Sequence, residues 1–258
     1  MILVWSARAS RRRATWLRTT RIRRIVAGLA VGCERLVAAE PGRTVIFDVD
    51  GTLVDTNYHH ALAWYQAFAR HGVTVPVWRI HRAIGMGGDR LVGAVAGDEV
   101  EQRIGDAVRE DWKRCYEPMI DQVAGFEGAR EVVAAVKERG WGAVLASSGE
   151  PEHLRHYLDM LELAELADGW TSAKDVSNTK PAPDLLKVAL ERVGGEQAVL
   201  IGDSTWDCAA ARNAGIPCVA LLSGGFGAAE LNAAGAVAVY DSLPELRAAL
   251  DDVPFGSV

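Results

Sequence analysis

The sequence predicts an α/β fold in which a parallel sheet forms the core and one helical segment is inserted into it. From Arg43 onward, short apolar runs alternate with amphipathic stretches, and this alternation is typical of a parallel sheet with crossover helices. The exception is residues 57–126, which have helical periodicity and no convincing strand. A length of 258 residues exceeds the roughly 100–200 residues of one typical domain and leaves room for such an insert.

The individual elements follow from the apolar pattern. Strands are expected at 44–48, 142–146, 168–171, 198–202, 218–222 and 236–239. Helices are expected near 128–139, 151–159, 182–193, 206–214 and 243–251. Residues 43–56 and 127–258 would therefore form the core.

The inserted segment, 57–126, is expected to act as a cap. His60, Trp64, Ala67 and Phe68 form one stripe at helical spacing, and residues 98–116 have the pattern of a long amphipathic helix. Both ends of the insert return to the sheet near the same strand end. Because ligands of open α/β sheets bind beyond the carboxyl ends of the strands, the insert would cover the site as a lid.

Composition and charge limit the possible functions. The chain is 49% hydrophobic and 24% charged, as in ordinary globular proteins, and no apolar run approaches the roughly 20 residues that span a bilayer. Residues 1–43 contain ten Arg and two Glu, a net charge of +8, which leaves −14 on the other 215 residues. An acidic core argues against nucleic-acid binding by the core and requires a local positive site for any anionic substrate.

The Arg-rich segment at residues 1–42 allows three interpretations. It could form a transit-like or membrane-surface basic helix, or an arm that binds nucleic acid. The interpretation that we favour is a disordered or loosely helical extension, because the fold begins cleanly at Arg43.

The four cysteines, Cys33, Cys115, Cys208 and Cys218, have no metal-ligand spacing and are expected to be structural thiols. Unpaired thiols of this kind are typical of a reducing compartment, so we expect a cytoplasmic protein.

The first motif with chemical potential is the stretch Asp48-Val49-Asp50-Gly51-Thr52 at the end of a buried strand. Two carboxylates two residues apart can serve different roles around one phosphorus atom, since one can attack while the other transfers a proton. Gly51 allows a tight turn in which backbone N–H groups can face phosphate oxygens, and Gly51 and Thr52 are candidates for substrate binding. The alternative is a solvated acidic turn.

Two further motifs also follow apolar segments. Ser147 and Ser148 end a strand, where a hydroxyl can donate to a phosphoryl oxygen, although both serines could equally be helix caps. Lys180 precedes Pro181-Ala182-Pro183-Asp184; the prolines suit a helix start, while the lysine is placed to neutralise Asp48 and phosphoryl charge.

The fourth motif predicts a Mg²⁺ site. Another buried strand leads to Asp203, and Asp207 lies one helical turn later on the same face. Mg²⁺ takes hard oxygen ligands, which Asp48, the Asp50 carbonyl and Asp203 would supply, with Asp207 behind them. The alternative for Asp203 and Asp207 is helix capping.

In this order and at these spacings, the four motifs resemble those of the haloacid dehalogenase superfamily, over about residues 43–250. The resemblance implies a Rossmannoid core, Mg²⁺ and an aspartyl-phosphate intermediate. It also implies roles for five residues: the nucleophile Asp48, the general acid/base Asp50, the phosphate donor Ser147, the charge clamp Lys180 and the metal ligand Asp203. Because the dehalogenases lack a carboxylate at the position of Asp50, a phosphatase is expected.

The helical insert looks like the cap of the phosphoglycolate phosphatase and β-phosphoglucomutase branch. His60 and Arg90 are its candidates for substrate binding, and the expected substrate is a small-molecule phosphate ester. His60 and Trp64 fit a mutase, but Gly88 stands where the mutases place a phosphate-gripping arginine, which favours hydrolysis. Phosphonoacetaldehyde hydrolysis would need a cap lysine, and Lys113, the only one, is expected on a solvated face.

A non-catalytic binding protein on the same fold is a further alternative. The expected oligomeric state is a monomer or a homodimer.

Overall fold

The computed structural model describes residues 42–258, and the structural statements below refer to this range. The interpretations of the Arg-rich segment and of Cys33 therefore lie outside the described residues. The sheet has seven strands in the order β3-β2-β1-β4-β5-β6, all parallel, with β7 antiparallel to the start of β4. The strands are β1 (Arg43–Phe47), β2 (Gly142–Ala146), β3 (Gly169–Thr171), β4 (Gln197–Gly202), β5 (Cys218–Leu221), β6 (Ala236–Tyr240) and β7 (Gly256–Ser257).

Ten α-helices accompany these strands in the described range. Four lie in the insert: α1 (Asn57–Arg70), α2 (Val77–His81), α3 (Gly88–Ala96) and α4 (Asp98–Tyr116). The other six belong to the sheet domain: α5 (Ala129–Glu138), α6 (Pro151–Met160), α7 (Asp184–Val193), α8 (Thr205–Ala214), α9 (Ala228–Ala234) and α10 (Leu243–Ala248).

The predicted α/β fold is confirmed, with differences at its carboxyl-terminal end. Neither α9 nor β7 was predicted, since α9 is a short alanine-rich helix and β7 has only two residues. The predicted helix at 243–251 ends at Ala248 and is followed by a 3₁₀ turn at Leu250–Asp252. Asp48 lies one residue beyond β1 rather than inside it.

The strands are apolar throughout because both faces of the sheet are covered. Alternate residues of a strand point to opposite faces. In β1, Val45 and Phe47 belong to the apolar cluster that α5, α6 and α10 complete. Ile46 points the other way, into the cluster that α7 and α8 complete. The helices packed on both faces of the sheet fix the positions of the strand ends, where the functional side chains lie.

The insert, which we call the cap (residues 57–126), has an apolar core of its own. Trp64 and Phe68 of α1 pack with Leu91 of α3 and Val108 of α4 in this core. The long helix predicted at residues 98–116 is present as α4. The two connections to the sheet domain pair with each other: Asp55 N–H donates to Ala124 O and Phe126 N–H to Leu53 O, each over 2.9 Å.

The cap contacts the segments that follow three of the strands. Gly87 N–H donates to Thr179 Oγ1 over 3.0 Å, and Trp206 Nε1 donates to Arg82 O over 3.0 Å. His81 Nε2 lies 2.8 Å from Gly224 O. The cap therefore lies over the carboxyl ends of β3, β4 and β5.

Two further predictions concern the cysteines and the absence of an apolar run long enough to span a bilayer. Cys115, Cys208 and Cys218 are buried and free, with Cys208 in α8 and Cys218 in β5 as predicted. In residues 42–258, none of the helices combines the length and the apolar character that crossing a bilayer requires.

Candidate active site

Asp48 and Lys180 form a buried ion pair at the carboxyl end of the sheet. Asp48 follows β1 directly and is 2% exposed, and Lys180 is 1% exposed. Lys180 Nζ donates to Asp48 Oδ1 and also lies 2.7 Å from Asp207 Oδ1. Burial alone would lower the pKa of Lys180, but the two carboxylates outweigh it and raise the pKa, so the lysine stays charged.

Three buried carboxylates meet at this point. One oxygen from each of Asp48, Asp203 and Asp207 lies within 4.8 Å of the others. Burial first, and then Asp207, raises the pKa of Asp203 to about 7, and burial likewise raises the pKa of Asp48. Three carboxylates beside one ammonium group leave a surplus of negative charge, and hard oxygen ligands of this kind suit a divalent cation such as Mg²⁺. The residues present therefore fit a metal ion.

Asp207 has a second set of partners. Its Oδ2 accepts from Ser204 N–H over 3.1 Å while Asp207 N–H donates to Ser204 Oγ over 3.3 Å, and these two bonds form a capping box at the start of α8. Ser204 Oγ also donates to Oδ2 over 2.6 Å. Capping was the alternative interpretation of this carboxylate. The structure shows this capping contact, and Oδ1 of the same residue lies 2.7 Å from Lys180 Nζ.

Asp50 accepts three side-chain hydrogen bonds. His60 Nε2 and Thr56 Oγ1 donate to Oδ1, each over 3.0 Å, and Ser147 Oγ donates to Oδ2 over 2.9 Å. Burial disfavours the charged carboxylate, but these hydrogen bonds outweigh burial and lower the pKa of Asp50 to about 2. Asp50 is therefore ionised in this arrangement.

The turn after Asp48 differs from the expectation for Gly51 and Thr52. Gly51 has a φ of +80°, as a tight turn requires, but its N–H donates to Val54 O over 2.8 Å. Thr52 N–H donates to Val49 O over 3.2 Å. These two N–H groups are thus used inside the turn and do not face a phosphate. Thr52 Oγ1 instead donates to Asp203 Oδ1 over 3.0 Å, next to the carboxylate cluster.

Ser147 and Ser148 have different environments. Ser147 Oγ bridges Asp50 and the N–H of Gly149, which donates to it over 2.9 Å. Ser148 Oγ is buried without a hydrogen-bond partner in the described part of the chain, and Ser148 lines the cleft between cap and core. Neither side chain caps α6, whose N-cap residue is Glu150.

The cap residues divide into those that reach the site and those that do not. His60 contacts Asp50. Arg90 is exposed, and its Nη2 donates to Asn178 Oδ1 over 3.3 Å, so the structure does not bring this predicted substrate-binding residue to Asp48. Lys113, expected on a solvated face, lines the cleft instead, with its side chain 33% exposed.

Asn57 was missed by the sequence analysis. It is the first residue of α1, is 3% exposed, and its Nδ2 donates to Asp203 Oδ2 over 2.8 Å. A polar residue directly after the first motif was the only signal in the sequence. Its partner lies 146 positions away, so the spacing could not identify the contact.

The cleft has two connected parts. An outer cavity of about 510 Å³ lies between the cap and the loops after β2 and β3. A small inner cavity of about 50 Å³ reaches Asp48 and Asp50. Five residues line both: Trp64, Gly88, Trp112, Ser148 and Gly149.

Comparison with known proteins agrees with the resemblance carried by the four motifs. A family model described as haloacid dehalogenase-like hydrolase matches residues 43–215. A probable phosphatase, IndB of Dickeya dadantii, is 29% identical over 208 residues, which cover 78% of this chain and 90% of the relative. A phosphoglycolate phosphatase of Xanthomonas campestris is 30% identical over 194 residues, which cover 70% of this chain and 84% of the relative.

The crystal structure of a hydrolase from Pseudomonas syringae shares the fold. It matches with a TM-score of 0.77 at 32% identity, over 82% of this chain and 99% of that chain.

Proposed function

This chain belongs to the haloacid dehalogenase-like hydrolase family, and on that premise we propose that it is a Mg²⁺-dependent phosphatase that acts on a small phosphate monoester through Asp48. The relatives named as phosphatases support phosphoric monoester hydrolysis as its reaction class. The observation that carries the proposal is the placement of Asp48 beside a buried Lys180, with Asp203 and Asp207 grouped around it.

In the first step, an oxygen of Asp48 attacks phosphorus while the bond from phosphorus to the leaving oxygen breaks. Asp50 gives a proton to the leaving alcohol. In the second step, Asp50 takes a proton from water, the water oxygen attacks phosphorus, and the bond to Asp48 breaks. The products are an alcohol and inorganic phosphate, and both carboxylates return to their starting states.

Asp50 must gain a proton before the first step. His60, Thr56 and Ser147 hold it ionised, which suits the second step. A phosphoryl group beside Asp50 places negative charge near it, and this raises the pKa of a carboxyl group. Ser147 can also turn its hydroxyl from Asp50 to a phosphoryl oxygen, which removes one of the hydrogen bonds that favour the ionised form.

Asp48, Asp203 and the backbone carbonyl of Asp50 would hold the Mg²⁺. When bound, the ion supplies positive charge that neutralises the phosphoryl oxygens and Asp48. Asp207 would lie behind these ligands, because its oxygens are already directed to Ser204 and Lys180. Lys180 adds the second positive charge at the nucleophile.

A phosphate-transferring mutase is the second candidate, which His60 and Trp64 favour. A mutase must hold a second phosphate in the cap. Gly88 offers no side chain for this, and the neighbouring Arg109 donates to Gly88 O over 3.0 Å while Glu101 binds the same guanidinium. The structure thus favours hydrolysis over isomerisation.

The test is release of phosphate from p-nitrophenyl phosphate with Mg²⁺, by the wild type and by Asp48→Asn. We expect turnover by the wild type and none by Asp48→Asn, with circular dichroism showing an intact fold. Asp159→Asn, which neutralises an exposed carboxylate on α6, is the matched control and should keep wild-type activity. Turnover by Asp48→Asn would refute the proposal, and isomerisation of a sugar phosphate without phosphate release would establish the mutase.

A further inference from the structure

We infer that the phosphate ester cleaved here has an uncharged, hydroxyl-bearing leaving group, as in sugar or polyol monophosphates, and that the cleft discriminates against leaving groups with a carboxylate or second phosphate. This inference rests on the proposed function, and it adds the substrate class. It is carried by the charges and unpaired polar groups of the cleft between cap and core.

The size and position of the cleft fit a leaving group. The inner cavity at Asp48 and Asp50 is too small for more than a phosphoryl group, so the rest of a substrate must occupy the outer cavity. Its volume of about 510 Å³ lies within the ordinary range of small-molecule sites. The residues of the outer cavity therefore decide which alcohol can be attached to the phosphate.

The cations that line the outer cavity are already paired with carboxylates of the protein. Arg109 Nη2 donates to Glu101 Oε1 over 2.7 Å and to Asp106 Oδ1 over 2.9 Å. Lys174 Nζ lies 3.4 Å from Glu150 Oε2. In the described range, each of the three lining cations has a carboxylate partner within 4 Å, the third pair being Lys113 with Glu152 at 3.9 Å.

The lining carboxylates also outnumber these cations. Four carboxylates line the outer cavity (Asp89, Asp106, Glu110 and Glu150) against three cations (Arg109, Lys113 and Lys174). A second anionic group on the substrate would have to displace a carboxylate from its cation and then lie among the others. Like-charge placement of this kind disfavours binding, whereas a hydroxyl group can donate to the same carboxylate oxygens.

Two unpaired polar groups of the cleft fit a hydroxyl. The indole N–H of Trp112 and the hydroxyl of Ser148 are buried and have no hydrogen-bond partner among residues 42–258. Both residues line the inner and the outer cavity, so they lie where a leaving group meets the phosphoryl site. A buried donor without a partner is destabilising, and a substrate hydroxyl that accepts from the indole would remove this cost.

An aromatic wall completes the cleft. Trp64 and Trp112 stack with their ring centroids 5.0 Å apart and an interplanar angle of 15°. Both rings line the cleft and offer apolar surface to the C–H groups of a polyol. The combination of apolar wall, carboxylate acceptors and unpaired donors suits a neutral, hydroxylated group.

The test compares substrates in which a CH2OH group is exchanged for a carboxylate on the same carbon skeleton. Three pairs serve: 2-hydroxyethyl phosphate with phosphoglycolate, glycerol 3-phosphate with 3-phosphoglycerate, and sorbitol 6-phosphate with 6-phosphogluconate. We expect the neutral member of each pair that is turned over to have a kcat/KM at least about tenfold higher, a difference of about 1.4 kcal/mol in transition-state binding. Equal or higher kcat/KM for the acidic members would overturn the inference. No turnover of any of them, nor of p-nitrophenyl phosphate, would instead refute the proposed function.

Variants test the two parts of the argument separately. Glu101→Gln removes the less exposed of the two carboxylates paired with Arg109 and should raise kcat/KM for the acidic members several-fold relative to the neutral ones. The matched control is Glu99→Gln, which breaks an exposed pair with Arg103 on the same helix and should leave this ratio unchanged. An unchanged ratio in Glu101→Gln would contradict the charge argument.

Trp112→Phe keeps an aromatic ring and removes the indole N–H. We expect KM for the neutral polyol phosphates to rise more than KM for phenyl phosphate, whose leaving group has no hydrogen-bonding group beyond the ester oxygen. An equal change for both kinds of substrate would show that the N–H does not contact the leaving group.

Discussion

Asn57 Nδ2 donates to Asp203 Oδ2 over 2.8 Å, so the first residue of the cap contacts a carboxylate of the candidate metal site. The same amide nitrogen lies 3.4 Å from Gly224 O, next to His81, which also binds that carbonyl. Both residues come from the cap, and both contacts lie at the carboxyl end of the sheet. The position of α1 and the orientation of Asp203 are therefore linked.

Replacing Asn57 tests this link. In Asn57→Ala, Asp203 loses a donor that orients it, and we expect the affinity for Mg²⁺ to fall by about 10-fold or more, as for other residues that orient metal ligands. Titration calorimetry with Mg²⁺ measures this directly, and kcat at saturating Mg²⁺ should fall much less. The control is Leu62→Ala, an exposed position on the same helix. An unchanged Mg²⁺ affinity in Asn57→Ala would show that the contact does not position Asp203.

Asp50→Asn separates the two chemical steps. p-Nitrophenol leaves without needing a proton, so phosphorylation of Asp48 should continue, but the water of the second step loses its base. We expect a rapid burst of p-nitrophenol equal to the enzyme concentration, followed by turnover slowed by about 10²–10⁴-fold. Stopped-flow absorbance measures both phases. Linear release at the wild-type rate would contradict the assignment of Asp50.

Lys180→Met tests the charge balance of the buried cluster. The change leaves Asp48 and Asp207 without their ammonium partner, and breaking a buried ion pair by removing one partner costs about 3–5 kcal/mol. We expect a lower Tm and a larger increase of Tm on adding Mg²⁺ than in the wild type, because the ion would neutralise the same carboxylates.

Lys187→Met is the matched control, since it removes an exposed lysine from α7. It should leave Tm and its Mg²⁺ dependence unchanged. A Lys180→Met protein as stable as the wild type without Mg²⁺ would mean that the lysine does not balance the cluster.

The core of the site could be predicted because its residues follow strand ends. The carboxyl ends of parallel strands lie at one edge of a sheet, so Asp48 after β1, Ser147 after β2 and Asp203 after β4 had to meet once the strands were assigned. Lys180 follows no strand directly, and its position was inferred from the helix start that it precedes. The hydrogen bonds of the Gly51 and Thr52 N–H groups within the turn could not be predicted from strand ends, because they depend on backbone dihedral angles.

The cap contacts could not be predicted, because they depend on helix rotation and on packing between distant segments. In α3, Leu91, Val92 and Val95 are buried, which turns Arg90 outward to solvent. In α4, Val108, Cys115 and Tyr116 set the buried stripe, which leaves Trp112 and Lys113 at the cleft. The pattern of a single sequence predicts which residues of a helix form the buried stripe. It does not predict which surface of the protein lies opposite that stripe.

The buried environment of His153 predicts how the free energy of unfolding depends on pH. It is 4% exposed, its Nδ1 has no partner in the described range, and it packs against Tyr116 and Trp112. Burial first, and then His60 and Lys113, lower its pKa below the ordinary 6.5, while Asp50 and Glu150 act in the opposite direction. The unfolded chain therefore binds a proton at this histidine more readily than the folded chain.

The free energy of unfolding should accordingly decrease as the pH falls below about 6.5 and level off below the folded pKa of His153. In His153→Phe, which keeps a ring against Tyr116, this decrease should be smaller by the contribution of one proton. Urea unfolding between pH 5 and pH 8, for the wild type and the variant, measures both slopes. Arg155→Gln, an exposed change on the same helix, is the control for the slope. Equal slopes in the wild type and His153→Phe would show that this histidine is not the group that loses stability on protonation.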